Sequence, residues 1–166
     1  WNVERFTLPA AFAPQMNFRG VEELRFPPGW GNSTSAQYWS YAYLWWMDRN
    51  TVINEESLQT NFQALYTGLV GRNIISRRIP LNKQMPSSVG VRKIKTEAGD
   101  LQTFRGEAHM LDYMTQKPMM LNLLIHVKDC SRENHSAVFV EVSPKPLSHS
   151  TWKELNLLGQ TFRCGK

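Results

Sequence analysis

No stretch of this chain is apolar for long enough to cross a bilayer as a helix. Its two longest mainly apolar runs, Tyr41 to Met47 and Met119 to Ile125, fall far short of the ~20 residues required. Motifs that announce a particular chemistry are also missing. HExxH, CxxC, GxSxG, a Walker loop and GxGxxG are all absent, which removes support for zincin, thioredoxin-like, α/β-hydrolase, P-loop and Rossmann readings. Cysteine is scarce, with only Cys130 and Cys164, and so is histidine, with four residues at 109, 126, 135 and 149. The net charge of +5 is modest, and its densest basic spots, Arg77-Arg78 and Arg92-Lys93-Ile94-Lys95, are short and isolated. Without an RNP, helix-turn-helix or zinc-finger pattern beside them, nucleic acid is not an expected partner.

What remains is a chain of 166 residues with 42% hydrophobic content, long enough for one globular domain that buries roughly 70% of its unfolded surface. A single domain spanning residues 1–166 is expected. No repeat, low-complexity tract or linker interrupts it. The first residue is Trp1 rather than Met, which is read as the loss of an upstream segment, by signal-peptide cleavage or by truncation.

The most unusual feature is Tyr38-Trp39-Ser40-Tyr41-Ala42-Tyr43-Leu44-Trp45-Trp46. Wound as a helix, its aromatics would spread over more than half the circumference. As a strand over 37–47 it resolves into two faces, with Trp39, Tyr41, Tyr43 and Trp45 on one and Ser40, Ala42 and Leu44 on the other. Alternation also predicts strands at Gly20 to Phe26 and Glu4 to Leu8. The wide loop Pro27 to Ala36 would make a hairpin to the aromatic strand and could offer Trp30 to a ligand or tuck it over the sheet edge.

Leu58, Phe62, Leu65 and Leu69 recur at helical spacing after Asn54, a good N-cap. This predicts a helix over 55–70, with Gly71 as its terminator. Strands follow at Val89 to Thr96, Leu101 to Met114, Met119 to Lys128 and Ala137 to Val142. A last helix of about ten residues opens at Thr151-Trp152-Lys153-Glu154, a capping-box pattern. The expected fold is therefore α+β: a two-layer sandwich in which a largely antiparallel sheet of six to seven strands carries both helices on one face.

Pairing the strands around a turn at Gln116-Lys117 puts Glu107 opposite His126, with His109 on the same face. A pairing of Leu124 with Glu141 adds a second carboxylate. Glu107, His109, His126 and Glu141 would then form a polar cluster. Two imidazoles and a carboxylate (His109, His126, Glu107) are the weak candidates for a transition-metal site, and the same groups suit acid–base chemistry. An ordinary solvated sheet face explains them as well.

The four aromatics pose a parallel choice. Beside His109 and His126 they would form a concave binding surface for a sugar ring or lipophilic ligand; under the helices they are core. Cys130, at a strand end, and Cys164, after the last helix, are placed either to form a disulfide or to remain two unrelated thiols.

In the segments Arg19 to Trp30, Tyr38 to Trp46 and Leu111 to Pro118, the chain resembles uncharacterised bacterial proteins of the exported kind. The resemblance implies an extracytoplasmic location, periplasmic or secreted, and carries no activity and no site residues. The expected function is that of a non-enzymatic binding module for a small molecule or polysaccharide on the open sheet face, with no cofactor. A metal-dependent or acid–base hydrolase built on the His/Glu cluster is the alternative. A protein-interaction module of an envelope assembly is the third reading.

Overall fold

A computed structural model describes residues 1–164. Seven strands form one antiparallel sheet, in the chain order β1 (Asn2–Leu8), β2 (Gly20–Phe26), β3 (Tyr41–Asp48), β4 (Ser88–Ile94), β5 (Gln102–Asp112), β6 (Lys117–Cys130) and β7 (His135–Ser143). Helix α1 (Glu55–Ser76) follows β3, and α2 (Thr151–Thr161) closes the fold. Across the sheet the order is β1-β2-β3-β7-β6-β5-β4, so β7 returns to join the N-terminal β1–β3 meander to the β4–β6 meander. The α+β class, the antiparallel sheet and the succession of strands and helices match expectation. The helices, however, lie on opposite faces of the sheet rather than together.

The alternation of β3 and β7 gives the reason. Tyr41, Tyr43 and Trp45, with Val138, Val140 and Val142, form a continuous apolar surface, which Leu58, Phe62, Leu65 and Tyr66 of α1 cover. The reverse face also offers an apolar patch of Ala42, Leu44, Phe139 and Leu124, and Trp152, Leu155 and Leu158 of α2 bury it. A sheet apolar on both sides at its centre needs a helix on each.

Three local expectations change. β3 begins at Tyr41 because the residues before it form turns: Trp39 sits in the left-handed region (φ 54°), and its N–H donates to the Trp30 carbonyl at 3.1 Å. α1 runs through Gly71 to Ser76, since Ile74 still packs against the core, and ends where the Arg77 N–H donates to the Asn73 carbonyl. The capping box expected at α2 does not form. Ser150 is the N-cap without a side-chain bond, and the Thr151 N–H donates instead to His149 Nδ1 at 3.2 Å. At α1 the cap is as expected, with Asn54 Oδ1 accepting from the Ser57 N–H at 2.8 Å.

The connection between β1 and β2 crosses over α1. Buried Asn61 on the helix holds it, accepting from the Asn17 and Phe18 N–H groups at 3.0 Å each and donating to Asn17 Oδ1 at 2.8 Å. Gly68 permits the crossing, because a Cβ there would stand 2.0 Å from the Phe12 carbonyl oxygen. The C-terminus is tied down by a disulfide between Cys130 and Cys164, whose Cα atoms are 5.3 Å apart. Cys130 is therefore no free nucleophile. Among the described residues, no helix is long and apolar enough to cross a membrane.

Candidate functional site

Two cavities carry chemistry, one on each face of the sheet. The first, of about 420 Å³, opens between α1 and the β1–β2 end of the sheet. It exists because α1 packs mainly over β4 and β5 and reaches back only as far as β3, where Phe62 stacks on Trp45 with ring centroids 4.8 Å apart. The inner faces of β1 and β2 project beyond the helix, and of β1 only Leu8 is buried.

The walls of this cleft are aromatic. Phe26 meets Trp30 edge-on at 4.8 Å, Trp30 stands at 89° to Tyr41 at 6.4 Å, and Phe26 stacks on Tyr41 at 5.5 Å. Trp39, Tyr43, Leu65 and Leu69 belong to the same lining. The expected site residues therefore separate. Trp30, Trp39, Tyr41 and Tyr43 line this cleft, whereas Trp45 is sealed beneath Phe62 and does not reach it. All four of the β3-region aromatics lie on the face opposite to His109 and His126, so no shared aromatic–histidine surface forms.

Several polar groups punctuate the cleft. Glu22 is 2% exposed, and its Oε1 accepts a hydrogen bond from Trp45 Nε1 at 3.1 Å. Burial pushes its carboxyl up from an ordinary 4.5 to about 7, the indole hydrogen bond opposing this only in part. The Tyr41 and Tyr66 hydroxyls bond each other at 3.1 Å, but the Tyr43 hydroxyl beside them completes no hydrogen bond, nor does Trp30 Nε1. Unpaired buried polar groups cost roughly 1–3 kcal/mol each, so a native site that keeps them calls for a reason. Alternation over Gly20 to Phe26 does not by itself single out Glu22 among the charged residues of the strand. The available signal was its phase: it falls in step with the inward residues Leu24 and Phe26.

The second cavity, of about 570 Å³, lies between the sheet and the C-terminal half of α2. Buried His126 stands at its floor. Its Nδ1 is 2.7 Å from Asp100 Oδ2, and its Nε2 is 3.4 Å from Glu141 Oε1, a contact too poorly aligned to be a hydrogen bond. Burial disfavours the charged ring, but Asp100 and Glu141 outweigh it and raise His126 to about 9. Burial likewise opposes the Asp100 carboxylate, while His126, Lys128 and Thr103 hold it below the ordinary range. Neither Glu141 oxygen has a hydrogen-bond partner. Glu97, Asp100 and His126 present ligand atoms within 4.8 Å of one another, yet the Lys128 ammonium already contacts Asp100 and supplies a positive charge there.

The expected polar cluster thus half forms. Leu124 does pair with Glu141, which brings Glu141 to His126. Glu107 pairs instead with Asn122, and Thr103 stands opposite His126. The β5–β6 turn closes earlier than expected, at Asp112 with Lys117. Asp112 organises that turn by accepting from the Met114 N–H at 2.9 Å and the Thr115 hydroxyl at 2.6 Å. The slip of four residues keeps every side chain on its face but moves Glu107 and His109 about 13 Å along β6 from His126. Glu107 and His109 are exposed near the β4 edge, 3.7 Å from each other. Asp100, Glu97 and Lys128 stand in their place. Only the register reveals their role.

No protein-family model matches this chain, and no curated protein or solved structure matches it either.

Proposed function

We propose that this domain is a binding module, and that its ligand is a small molecule with an apolar body held in the aromatic cleft between α1 and β1–β3. The observation that carries the reading is the cleft's composition: Phe26, Trp30, Trp39, Tyr41 and Tyr43 around about 420 Å³, with the Tyr43 hydroxyl and Trp30 Nε1 left unpaired. Ligand sites are concave, mostly apolar and supplied with a few convergent polar groups. No Ser, Thr, Cys, Lys or His is among the residues that line this cleft.

The test is titration with indole, cyclohexanol and 3,3-dimethylbutan-1-ol, followed by tryptophan fluorescence and NMR shift perturbation. At least one probe should bind saturably, perturb residues of the cleft and lose affinity fivefold or more in Trp30→Ala. No saturable binding by any probe would overturn the proposal.

The Cys130–Cys164 disulfide supports an oxidising, extracytoplasmic setting for this module. Fully oxidised cysteines in protein taken directly from its native compartment are the expected finding.

The Asp100–His126–Glu141 arrangement favours a second reading, acid–base hydrolysis in the α2 cavity. With Asp100 at Nδ1 and Glu141 near Nε2 holding its proton up to about 9, the His126 ring is suited to act as a general acid rather than a base. Ester and amide hydrolysis abolished by His126→Asn, with folding intact, is what this reading expects; no activity in the wild type would remove it.

A further inference from the structure

The basic run Arg92-Lys93-Ile94-Lys95 lies outside both cavities. Alternation along β4 turns Arg92 and Ile94 to the α2 side of the sheet, where they line an open groove of about 760 Å³ between α2 and the β4–β5 edge. The register sets Arg92 directly opposite Arg105 of β5, and Arg105 directly opposite Leu124 of β6. Two guanidinium side chains thus rise from one sheet face with their Cβ atoms about 4.5–5.5 Å apart, and like charges so placed destabilise a sheet. Among the described residues neither arginine forms an ion pair. Glu107, two residues along the same face of β5, stands 3.7 Å from His109 instead.

The facing wall adds a third cation, Lys153 of α2, and the one carboxylate among the groove's lining residues is Glu97, whose Oε2 lies 3.8 Å from His126 Nδ1. Positive charge therefore dominates. Ile94, Leu124, Leu147 and Leu157 supply apolar lining, and of these Leu147 is 39% and Leu157 60% exposed. Lys153 and Leu157 are four residues apart on α2, so they stand one above the other along the same wall. Unpaired cations and uncovered leucines share one groove.

We propose that this groove binds a free aliphatic carboxylate, its head held between Arg92 and Arg105 and its alkyl chain laid along Leu124, Leu147 and Leu157. The site is on the opposite face of the sheet from the aromatic cleft and does not depend on it. A guanidinium presents a planar fork of donors that matches a carboxylate, so two of them facing one anion can engage both its oxygens in charge-assisted bonds. The same anion removes the repulsion between the arginines. Leu124 stands next to Arg105 in the register, which places the start of the apolar wall beside the head site. The groove's volume falls within the ~300–1,000 Å³ usual for small-ligand sites, which suits one molecule better than a flat membrane surface or a polymer.

Octanoate, octan-1-ol and acetate separate head from tail, measured by calorimetry at low ionic strength with amide NMR shifts to locate the site. The expected result is saturable octanoate binding at least tenfold tighter than either the alcohol or acetate, with shifts confined to β4, β5, β6 and α2. Affinity should fall fivefold or more in Arg92→Gln and in Arg105→Gln, and should also fall in Leu157→Ser. Without ligand the two arginine variants should melt no lower than wild type, since each removes a like-charge contact, so their lost affinity is read on folded protein. Equal affinity for octanoate and octan-1-ol, acetate binding as tightly as octanoate, or octanoate affinity unchanged in both arginine variants overturns the proposal. Binding to phosphatidylglycerol vesicles or polyglutamate without binding of octanoate overturns it too. None of these outcomes touches the aromatic cleft, whose own probes report on the other face.

Discussion

Replacing Glu22 by Gln should stabilise this protein, and by an amount that depends on pH in a defined way. The folded carboxyl titrates at about 7 rather than 4.5, so between those values the native state keeps a proton that the unfolded chain has released. A raised folded value contributes stability that is fully present below the unfolded value and is lost as pH rises through the folded one. From 4.5 to about 7 the difference corresponds to ~3 kcal/mol. The Gln amide oxygen can still accept from Trp45 Nε1, and the amide never ionises.

At pH 5 the two proteins should therefore unfold at nearly the same temperature. At pH 8 the variant should be more stable by up to ~3 kcal/mol, a rise in Tm of roughly 6–12 °C for a domain of this size. His126, raised to about 9, adds its own loss of stability as pH increases from the ordinary imidazole range through 9, but it does so in both proteins and cancels in the difference. Thermal unfolding followed by circular dichroism from pH 5 to 8.5 measures it. A Tm difference that does not grow with pH, or a variant less stable than wild type at pH 8, would refute the reasoning. A confirmed result would mean that the fold tolerates a buried carboxylate at its cleft at a cost to its own stability, as sites retained for binding commonly do.

Asp112→Ala removes the acceptor of the buried Trp39 Nε1, 3.1 Å away, along with the anchor of the β5–β6 turn and the partner of the Tyr38 hydroxyl at 2.7 Å. A loss of about 2–4 kcal/mol in urea unfolding is expected, and a loss under about 1 kcal/mol would contradict it. Burial works against the Asp112 carboxylate, but its hydrogen bonds from Thr115, Tyr38, Met114 and Trp39 hold it below the ordinary range, so its contribution is lost as pH falls below 3.8. Gly68→Ala forces the β1–β2 loop away from α1 and should cost ~1–3 kcal/mol, with faster amide exchange through that loop. Gly71→Ala one turn on, with nothing within 4 Å of the added methyl, should instead stabilise by about 0.5–1 kcal/mol; equal effects would sink the argument.

Local pattern was enough for the elements. The alternation of Trp, Tyr and small residues in β3, the leucine spacing of α1 and the polar turns between β strands specify strand or helix through interactions a few residues long. The pairing of Leu124 with Glu141, one register that the longer loop before β7 allows, is the one that forms. The β5–β6 register was not legible, since it depends on Asp112 gathering Met114 and Thr115 into the turn, which alternation does not encode.

By itself, then, the sequence determined an antiparallel α+β domain with the order of its strands and helices, and an aromatic strand with one bulky face. The tertiary structure decided what those parts mean. Which helix covers which face depends on apolar patches assembled from strands far apart in the chain. That assembly put the aromatics under α1, set three of them with Trp30 in the lining of the cleft where the helix stops short of β1 and β2, and turned Glu22 inward. It also separated His126 from Glu107 and His109 and gave it Asp100 instead. Proximity across a sheet is a property of register and layer order, and neither is carried by any single segment.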